Sequence, residues 1–465
     1  MDSAVLTTEL REQFDTFTAG KWDQATLESH QTRKLRDTVA HVRHNSPFYR
    51  ERLAGLTPEA IAALTVDDLA DLPFTTKEDL RNAQFDILSR PVSEAWVFYE
   101  TTGTTGAATP CPRTNTDSIN NNSVLTSYYG DVLEPHAHGR VVGISGPSEL
   151  HATGDTFGDV CRNLGYTVAK MWPHSPVVGF DRALEVMRLL PMTALFCTPG
   201  MAMRLAQKAI DAGLRPRIDF PLDLLLLTGE LMSPSLLDNI SLLWDAEVRN
   251  VLYASQEASV LAAATSDGAL RTAPLINLYE VVDPDTLAAA VPDANGVRHG
   301  ELVVTNLYLG AKPLIRYRTG DLVRMHPPGA GAAVPAPALE VVGRVHDRLL
   351  LNGRLVNGYD LENLLLSQVR GYRDYQITVD RDDSGADRLS LLLRADPAND
   401  RPTLERTVQL CREELGTGLN IRFGVPGEVT GTGAMVSWKA ARVVDLRAQR
   451  SSEDEAADRV AAARL

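Results

Sequence analysis

Six consecutive residues, Thr101-Thr102-Gly103-Thr104-Thr105-Gly106, are all threonine or glycine. Such a run offers backbone N–H groups that no bulky side chain obstructs, with four hydroxyls beside them, which is one way to hold the phosphates of a nucleotide. Taken alone it is more often an ordinary turn between strands. Two further polar segments follow apolar runs that read as strands. Thr228-Gly229-Glu230 comes after Leu224 to Leu227, and Tyr253-Ala254-Ser255-Gln256-Glu257 comes after Val248 to Leu252. A glutamate near a phosphate loop suits Mg²⁺, which prefers carboxylate plus phosphate oxygens. A solvated loop carboxylate is about as common for either segment taken singly. Downstream lie Tyr317-Arg318-Thr319-Gly320-Asp321, then Gly343-Arg344-Val345-His346-Asp347, and Trp438-Lys439-Ala440-Ala441-Arg442 near the end.

The elements that would position these residues follow from periodicity and punctuation. Residues 1 to about 90 read as mostly helical; a helix through Leu35 to Val42 ends at Pro47, and Thr75-Thr76-Lys77-Glu78-Asp79-Leu80 reads as a helix start. A strand is expected through Ala95 to Tyr99, just before the Thr/Gly run. From about 91 to 270, short apolar runs (Arg140 to Ile144, Ala194 to Cys197, Leu224 to Leu227, Val248 to Leu252) alternate with helical patterns, which implies an α/β domain with a largely parallel sheet. In such sheets ligands gather at the carboxyl ends of strands, where Glu230 and Glu257 fall. From about 271 to 342 the pattern changes to short strands, with the turn-forming stretch Pro327 to Pro337 between two of them. The roughly 120 residues beyond Gly343-Arg344 mix strands and helices, including Tyr375 to Asp380 and Arg388 to Arg394, and are enough for a domain of their own. From Ser451 a charged, alanine-rich surface helix or frayed tail is expected.

Bulk properties narrow the function classes. A chain of 465 residues favours two or three domains, and 44% hydrophobic with 23% charged residues is ordinary globular composition. A formal net charge of −14 without a basic cluster speaks against nucleic-acid or anionic-membrane binding. The start, Met1-Asp2-Ser3-Ala4, shows no basic n-region or apolar h-region, and the apolar runs are too short to span a bilayer, so a soluble cytoplasmic protein is expected. The four cysteines, at 111, 161, 197 and 411, include no C-x-x-C pair, against a structural zinc site or a disulfide framework; Cys197 reads as a buried apolar residue.

In order and spacing these segments resemble the adenylate-forming superfamily, and within it the phenylacetate–CoA ligase branch. Ser46-Pro47-Phe48-Tyr49-Arg50 and Leu72-Pro73-Phe74-Thr75-Thr76-Lys77-Glu78-Asp79-Leu80 look like that branch's N-terminal signatures. Thr102 to Gly106 matches the superfamily's phosphate loop, and Tyr317 to Asp321 is close to its most specific motif. The resemblance implies an α/β fold: a large N-terminal domain over 1–342 with a small β-rich subdomain, a hinge over 343–347 including His346 and Asp347, and a mobile α+β lid domain over 348–465. It implies a two-step reaction in which a carboxylate attacks the α-phosphorus of ATP and coenzyme A captures the acyl adenylate. Asp321 would then accept the ribose hydroxyls, Arg344 would contact the same sugar, Tyr253 would lie along the adenine, Glu230 near the base, Glu257 would hold Mg²⁺, and Lys439 would bridge the carboxylate and the α-phosphate. Gly229, Ala254, Ser255 and Gln256 would join the nucleotide site. The partners implied are a small acid and ATP, with a monomer or homodimer expected.

The sequence also departs from that pattern. Ala107-Ala108 stand where Lys-Pro usually follows the phosphate loop, so a cationic contact to the leaving phosphates is missing; another basic residue or Mg²⁺ would have to compensate. Ala254 replaces a glycine, Gln256 a hydroxyl residue, His346 an Asp or Lys, and Val436-Ser437-Trp438 a flexible Ser/Glu-Gly. With Asp321, Arg344, Glu257 and Lys439 all present, adenylation is expected to persist, while the acceptor is open between coenzyme A and a carrier-protein thiol, an amine or another small nucleophile. A non-catalytic nucleotide- or acyl-binding homologue is the reading from another class. The acyl pocket is expected at Ser145 to Gly154, where Ser148, Glu149 and His151 suggest an aromatic or heteroaromatic acid bearing an amino or hydroxyl group, because a buried unpaired Glu149 would be costly. The alternative is that these side chains face a helix surface.

Overall fold

Ser46 closes one helix and opens the next. Its N–H bonds to Val42 O at the end of Gln24–Asn45, and its hydroxyl accepts from Tyr49 N at the start of Pro47–Arg52. Pro47 sits at the first turn of the second helix, where its missing N–H costs nothing. The helix Lys77–Ala83 is started by Thr76 and Asp79, which cap each other's backbone N–H reciprocally. The helix end before Pro47 and the start at Lys77 match the sequence expectation, while the second helix, opening at Pro47, is an addition to it. The computed structural model describes residues 3–101, 108–136, 138–394, 401–424 and 442–447. The expected helix or tail from Ser451 lies outside them.

An eleven-stranded mixed sheet organises the larger part of the chain. Val97–Glu100 (β1) and Pro110–Arg113 (β2) stand apart as an antiparallel ribbon. The sheet is built from Val141–Ile144 (β3), Thr167–Lys170 (β4), Met192–Cys197 (β5), Leu224–Thr228 (β6), Glu247–Ser255 (β7), Ser259–Ala264 (β8), Leu270–Thr272 (β9), Asn277–Val282 (β10), Arg298–Asn306 (β11), Tyr317–His326 (β12) and Ala338–Arg344 (β13), in the order β10-β11-β12-β13-β9-β8-β7-β6-β5-β3-β4. Strands β4, β3, β5, β6 and β7 run parallel, and from β8 to β10 every pairing is antiparallel. The expected β-rich part is therefore the antiparallel half of one sheet, joined through β9 and β13, where Ala338 and Arg271 are in register. Leu224 to Leu227 are wholly buried, as an apolar run in a parallel strand covered on both faces should be.

The C-terminal part contains the ribbon Leu349–Leu351 (β14) and Arg354–Val356 (β15), then Asp374–Arg381 (β16), Asp387–Arg394 (β17), Leu419–Phe423 (β18) and Val443–Asp445 (β19) in a four-stranded sheet ordered β18-β17-β16-β19. The helix Pro234–Trp244 is its docking surface. Ser233 Oγ donates to Glu362 Oε1 (2.6 Å), Ser235 Oγ to Asn363 Oδ1 (2.7 Å), and Asn239 Nδ2 to the Tyr372 carbonyl (2.8 Å), while Gly371 N returns a bond to Asn239 Oδ1 (2.7 Å). Leu225 and Leu236 share one buried apolar cluster with Leu365 and Tyr375. No helix among the described residues is long and apolar enough to cross a membrane.

Candidate nucleotide site

β12 and β13 place Asp321 opposite Arg344 in register, and β7 brings Tyr253 up to the same point from the parallel half of the sheet. Tyr253 Oη donates to Asp321 Oδ2 at 2.8 Å, and Arg344 Nε lies 3.5 Å from Asp321 Oδ1. Burial, and then the neighbouring Asp321 carboxylate, push the Tyr253 phenol well above its ordinary pKa, so it remains a neutral donor. The part of β12 carrying Asp321 is fixed by Glu301 on β11, nearly fully buried, which accepts from Gly320 N (3.1 Å) and pairs with Arg318 (2.6 Å). Gly320 adopts φ +75°, a left-handed turn that a side chain would strain. Thr319 Oγ1 accepts from Asp321 N and donates to the Leu302 carbonyl. The fold brings Tyr253, Asp321 and Arg344 to one place.

Glu257 follows the end of β7 and is buried, with Lys77 Nζ 3.4 Å from its Oε1. Burial alone would raise its carboxyl, but Lys77 and Lys312 outweigh it and hold the group below its ordinary value, so it stays ionised. Lys77 reaches this point because the Thr76–Asp79 caps fix the first turn of its helix. Among the described residues no group of three or more His, Cys, Asp or Glu could hold a metal ion. One dehydrated, ionised carboxylate is nevertheless the donor that Mg²⁺ carried by a polyphosphate needs, so Glu257 fits that ion.

The other expected site residues have more structural employment than the sequence suggested. Thr101 Oγ1 accepts from Thr109 N (2.9 Å) and Thr101 N donates to Thr109 O (3.1 Å), so Thr101 closes the base of the Thr/Gly run. Thr102, Gly103, Thr104, Thr105 and Gly106 lie outside the described residues, as does Lys439. Ser255 Oγ accepts from Ala258 N, and Ala254 is exposed. The Gln256 amide points toward the carbonyls of Glu100 and Leu150, both at 3.5 Å, linking the end of β1 to the expected acyl-pocket loop. Gly229 has φ +89°, turning the chain so that Glu230 Oε2 accepts from Gly200 N (3.1 Å) at the start of the helix Pro199–Asp211. Arg442 Nε lies 3.9 Å from the same oxygen, and Arg442 also pairs with Asp374. Glu230 is thus anchored between a helix start and the C-terminal part.

In the acyl-pocket loop, His151 Nδ1 accepts from Thr153 N (3.3 Å) and contacts Thr153 Oγ1 (2.9 Å), which fixes the start of Thr153–Asn163. Ser148 Oγ lies so close to Gly154 that a Cβ there would meet it at 2.1 Å. Glu149 is exposed, so the expectation of a costly buried carboxylate does not hold: solvent screens it. At the expected hinge, His346 Nε2 is 3.3 Å from Asp347 Oδ1, and both side chains are exposed.

Sequence reading passed over two buried cations beside Glu257. Lys312 and Arg113 are buried and line a cavity with Gln256, Glu257, Cys111 and Tyr308. The available signal was Lys312 itself, the sole charge in the otherwise uncharged run Leu307 to Ile315.

With this geometry in hand, comparison with known proteins places the chain. No protein-family model matches it. It is 27% identical over 440 residues to a phenylacetate–coenzyme A ligase of Pseudomonas putida, covering 90% of this chain and 94% of that protein. To the phenylacetate–coenzyme A ligase of Escherichia coli (strain K12) it is 25% identical over 453 residues, covering 90% and 95%. Among solved structures, 2-hydroxyisobutyryl-CoA ligase in the postadenylation state with 2-HIB-AMP superposes with a TM-score of 0.75 at 21% identity, over 95% of this chain and 93% of that one. The same ligase with 2-HIB-AMP and CoA in its thioesterification state gives 0.61. The chain is thus similar in sequence to phenylacetate–coenzyme A ligases over most of its length and shares the fold of 2-hydroxyisobutyryl-CoA ligase.

Proposed function

We propose that this protein is an AMP-forming acid–coenzyme A ligase that activates an aromatic carboxylic acid with ATP. The observation that carries this reading is the Tyr253–Asp321–Arg344 cluster, with the ionised Glu257 just past the end of the strand that carries Tyr253. The named activity of the relatives, spanning nearly the full length of both partners, supports it.

Asp321 accepts the ribose hydroxyls, its orientation set by the Tyr253 hydroxyl, and Arg344 lies over the same sugar. Because the Tyr253 ring is buried, its contribution is to aim the carboxylate, with little surface left to lie along a base. Glu257 would hold Mg²⁺, which, when bound, neutralises charge on the polyphosphate. A carboxylate oxygen of the acid attacks the α-phosphorus, the bond from that phosphorus to the bridging oxygen breaks, and pyrophosphate leaves with the electron pair. The coenzyme A thiolate then attacks the acyl carbon of the adenylate and displaces AMP. Lys439 is assigned to the first step, where an ammonium on a long stem suits a bridge between carboxylate and α-phosphate. Gly229, Glu230 and Arg442 couple the end of β6 to the C-terminal part, and residues 343–347 serve as the hinge between them.

For the acid, the relatives' name points to an arylacetate or benzoate class. Exposure of Glu149 leaves polar ring substituents tolerated at the pocket mouth, with no requirement for them. Pyrophosphate exchange into ATP, measured with phenylacetate and benzoate and with their amino and hydroxy analogues, tests this. The reading expects exchange with the unsubstituted acids and a thioester product on adding coenzyme A. Exchange that needs a substituted acid would move the substrate class. An adenylate that coenzyme A cannot capture but an amine or carrier-protein thiol can would move the acceptor.

A further inference from the structure

The cavity beside Glu257 is lined by two buried cations, one of which keeps an N–H without a partner. Arg113 and Lys312 share it with two carboxylates, Glu257 and Asp117, and Glu257 is already paired with Lys77 from outside the lining. Asp117 is already committed: its Oδ2 accepts from Thr114 N (2.8 Å), Thr114 Oγ1 (2.7 Å) and Ala311 N (2.9 Å). Arg113 is 8% exposed, stacks its guanidinium over the Tyr99 ring at 5.2 Å, and its Nε has no hydrogen-bond partner. Lys312 is 7% exposed and donates to the Pro110 carbonyl (3.0 Å) and Cys111 Sγ (3.2 Å). An ammonium has three N–H donors, so one remains. Buried cations with donors to spare are costly unless an anion completes them.

We propose that Lys312 and Arg113 are catalytic residues that bind the β- and γ-phosphates of ATP and stabilise the departing pyrophosphate. The assignment rests on the adenylating function above. Arg113 lies in β2 and Lys312 is anchored on it, a strand that begins four residues past the Thr/Gly run, and both share the cavity with the carboxylate assigned to Mg²⁺. As the bond from the α-phosphorus to the bridging oxygen breaks, negative charge passes to the β-phosphate, and fixed cations aimed there stabilise the transition state more than the ground state. Lysine is absent at Ala107 and Ala108, immediately after the Thr/Gly run. Lys312 restores that charge from a distant segment: its anchor is the carbonyl of Pro110, three residues past Ala107.

The test is calorimetric binding of AMP and of α,β-methylene-ATP with Mg²⁺ to the full chain, wild type against Lys312→Met, Arg113→Met and the double variant Ala107→Lys/Lys312→Met. The single variants are expected to bind the ATP analogue about tenfold or more weakly with AMP affinity essentially unchanged, because AMP lacks the phosphates in question. The double variant is expected to recover most of the loss. Equal loss for both nucleotides, or no selective loss in either single variant, overturns the assignment. A wild type that binds the analogue and AMP, paired with variants whose ratio is unmoved, overturns this inference alone; a wild type that binds neither overturns the nucleotide reading with it. Should Lys312→Met fail to fold, Arg113→Met decides by the same ratio.

Discussion

The Tyr253 hydroxyl donates to Asp321 at 2.8 Å across 68 residues of sequence, joining the parallel half of the sheet to the antiparallel half at the proposed ribose. Removing the donor leaves the fold its ring and takes away only the aim of the carboxylate. Tyr253→Phe should raise the KM for ATP in the exchange assay about tenfold, since a hydrogen bond to a charged group is worth roughly 1.5–3 kcal/mol. An unchanged KM would mean that Asp321 needs no such support.

Lys77 is predicted to set the acid limb of activity. The Glu257 carboxyl is held below its ordinary value, so its ionised form is fully present above the usual glutamate range and is lost only as pH falls through the depressed value. Lys77→Met removes the nearer cation, at 3.4 Å, and should shift the acid limb of Mg²⁺-dependent exchange upward by about one pH unit. A limb that stays in place would show that Lys312 alone holds the charge.

How much of this was legible in the sequence depended on whether a residue's partner lay nearby in the chain. The helix end at Pro47 and the helix start at Lys77 could be read because a proline stop, or a cap and its target, act within a few residues of each other. The strands Leu224 to Leu227 and Val248 to Leu252 announced themselves by apolar composition, and the motif Tyr317 to Asp321 by its resemblance to a family motif. Glu149 was misjudged because nothing local distinguishes a carboxylate that faces solvent from one that faces a pocket. Lys312 was missed for the opposite reason: its acceptors, Pro110 and Cys111, are about 200 residues away, and only folding brings them together.

Asn239 should prove the strongest polar tie between the two parts of the molecule. It is fully buried and both ends of its amide are used, on Tyr372 O and Gly371 N. Asn239→Ala strands a carbonyl and an N–H, at roughly 1–3 kcal/mol each if water cannot reach them. Faster proteolysis or hydrogen exchange within residues 348–394 than in the sheet of β3 to β7 is the expected result; equal protection would show the docking is carried by apolar contact alone.

Gly200 leaves room for the Glu230–Arg442 contact, since an added Cβ would come within 2.9 Å of Glu230 Oε1 and 3.0 Å of Arg442 Nη2. Both neighbours are side-chain ends that can move, so Gly200→Ala should fold with little loss of stability. It should lower adenylation several-fold by displacing the contact between the end of β6 and the C-terminal part. Wild-type rates in that variant would leave Glu230 a purely local anchor.

The most direct test of the central claim is acid-dependent exchange of labelled pyrophosphate into ATP, by the wild type and by Asp321→Ala. The account predicts exchange only when an aromatic acid and Mg²⁺ are both present, reduced about a hundredfold or more in kcat/KM for ATP by the substitution. Exchange that is undiminished in Asp321→Ala, or none from the wild type with any acid tried while AMP still binds, would contradict it.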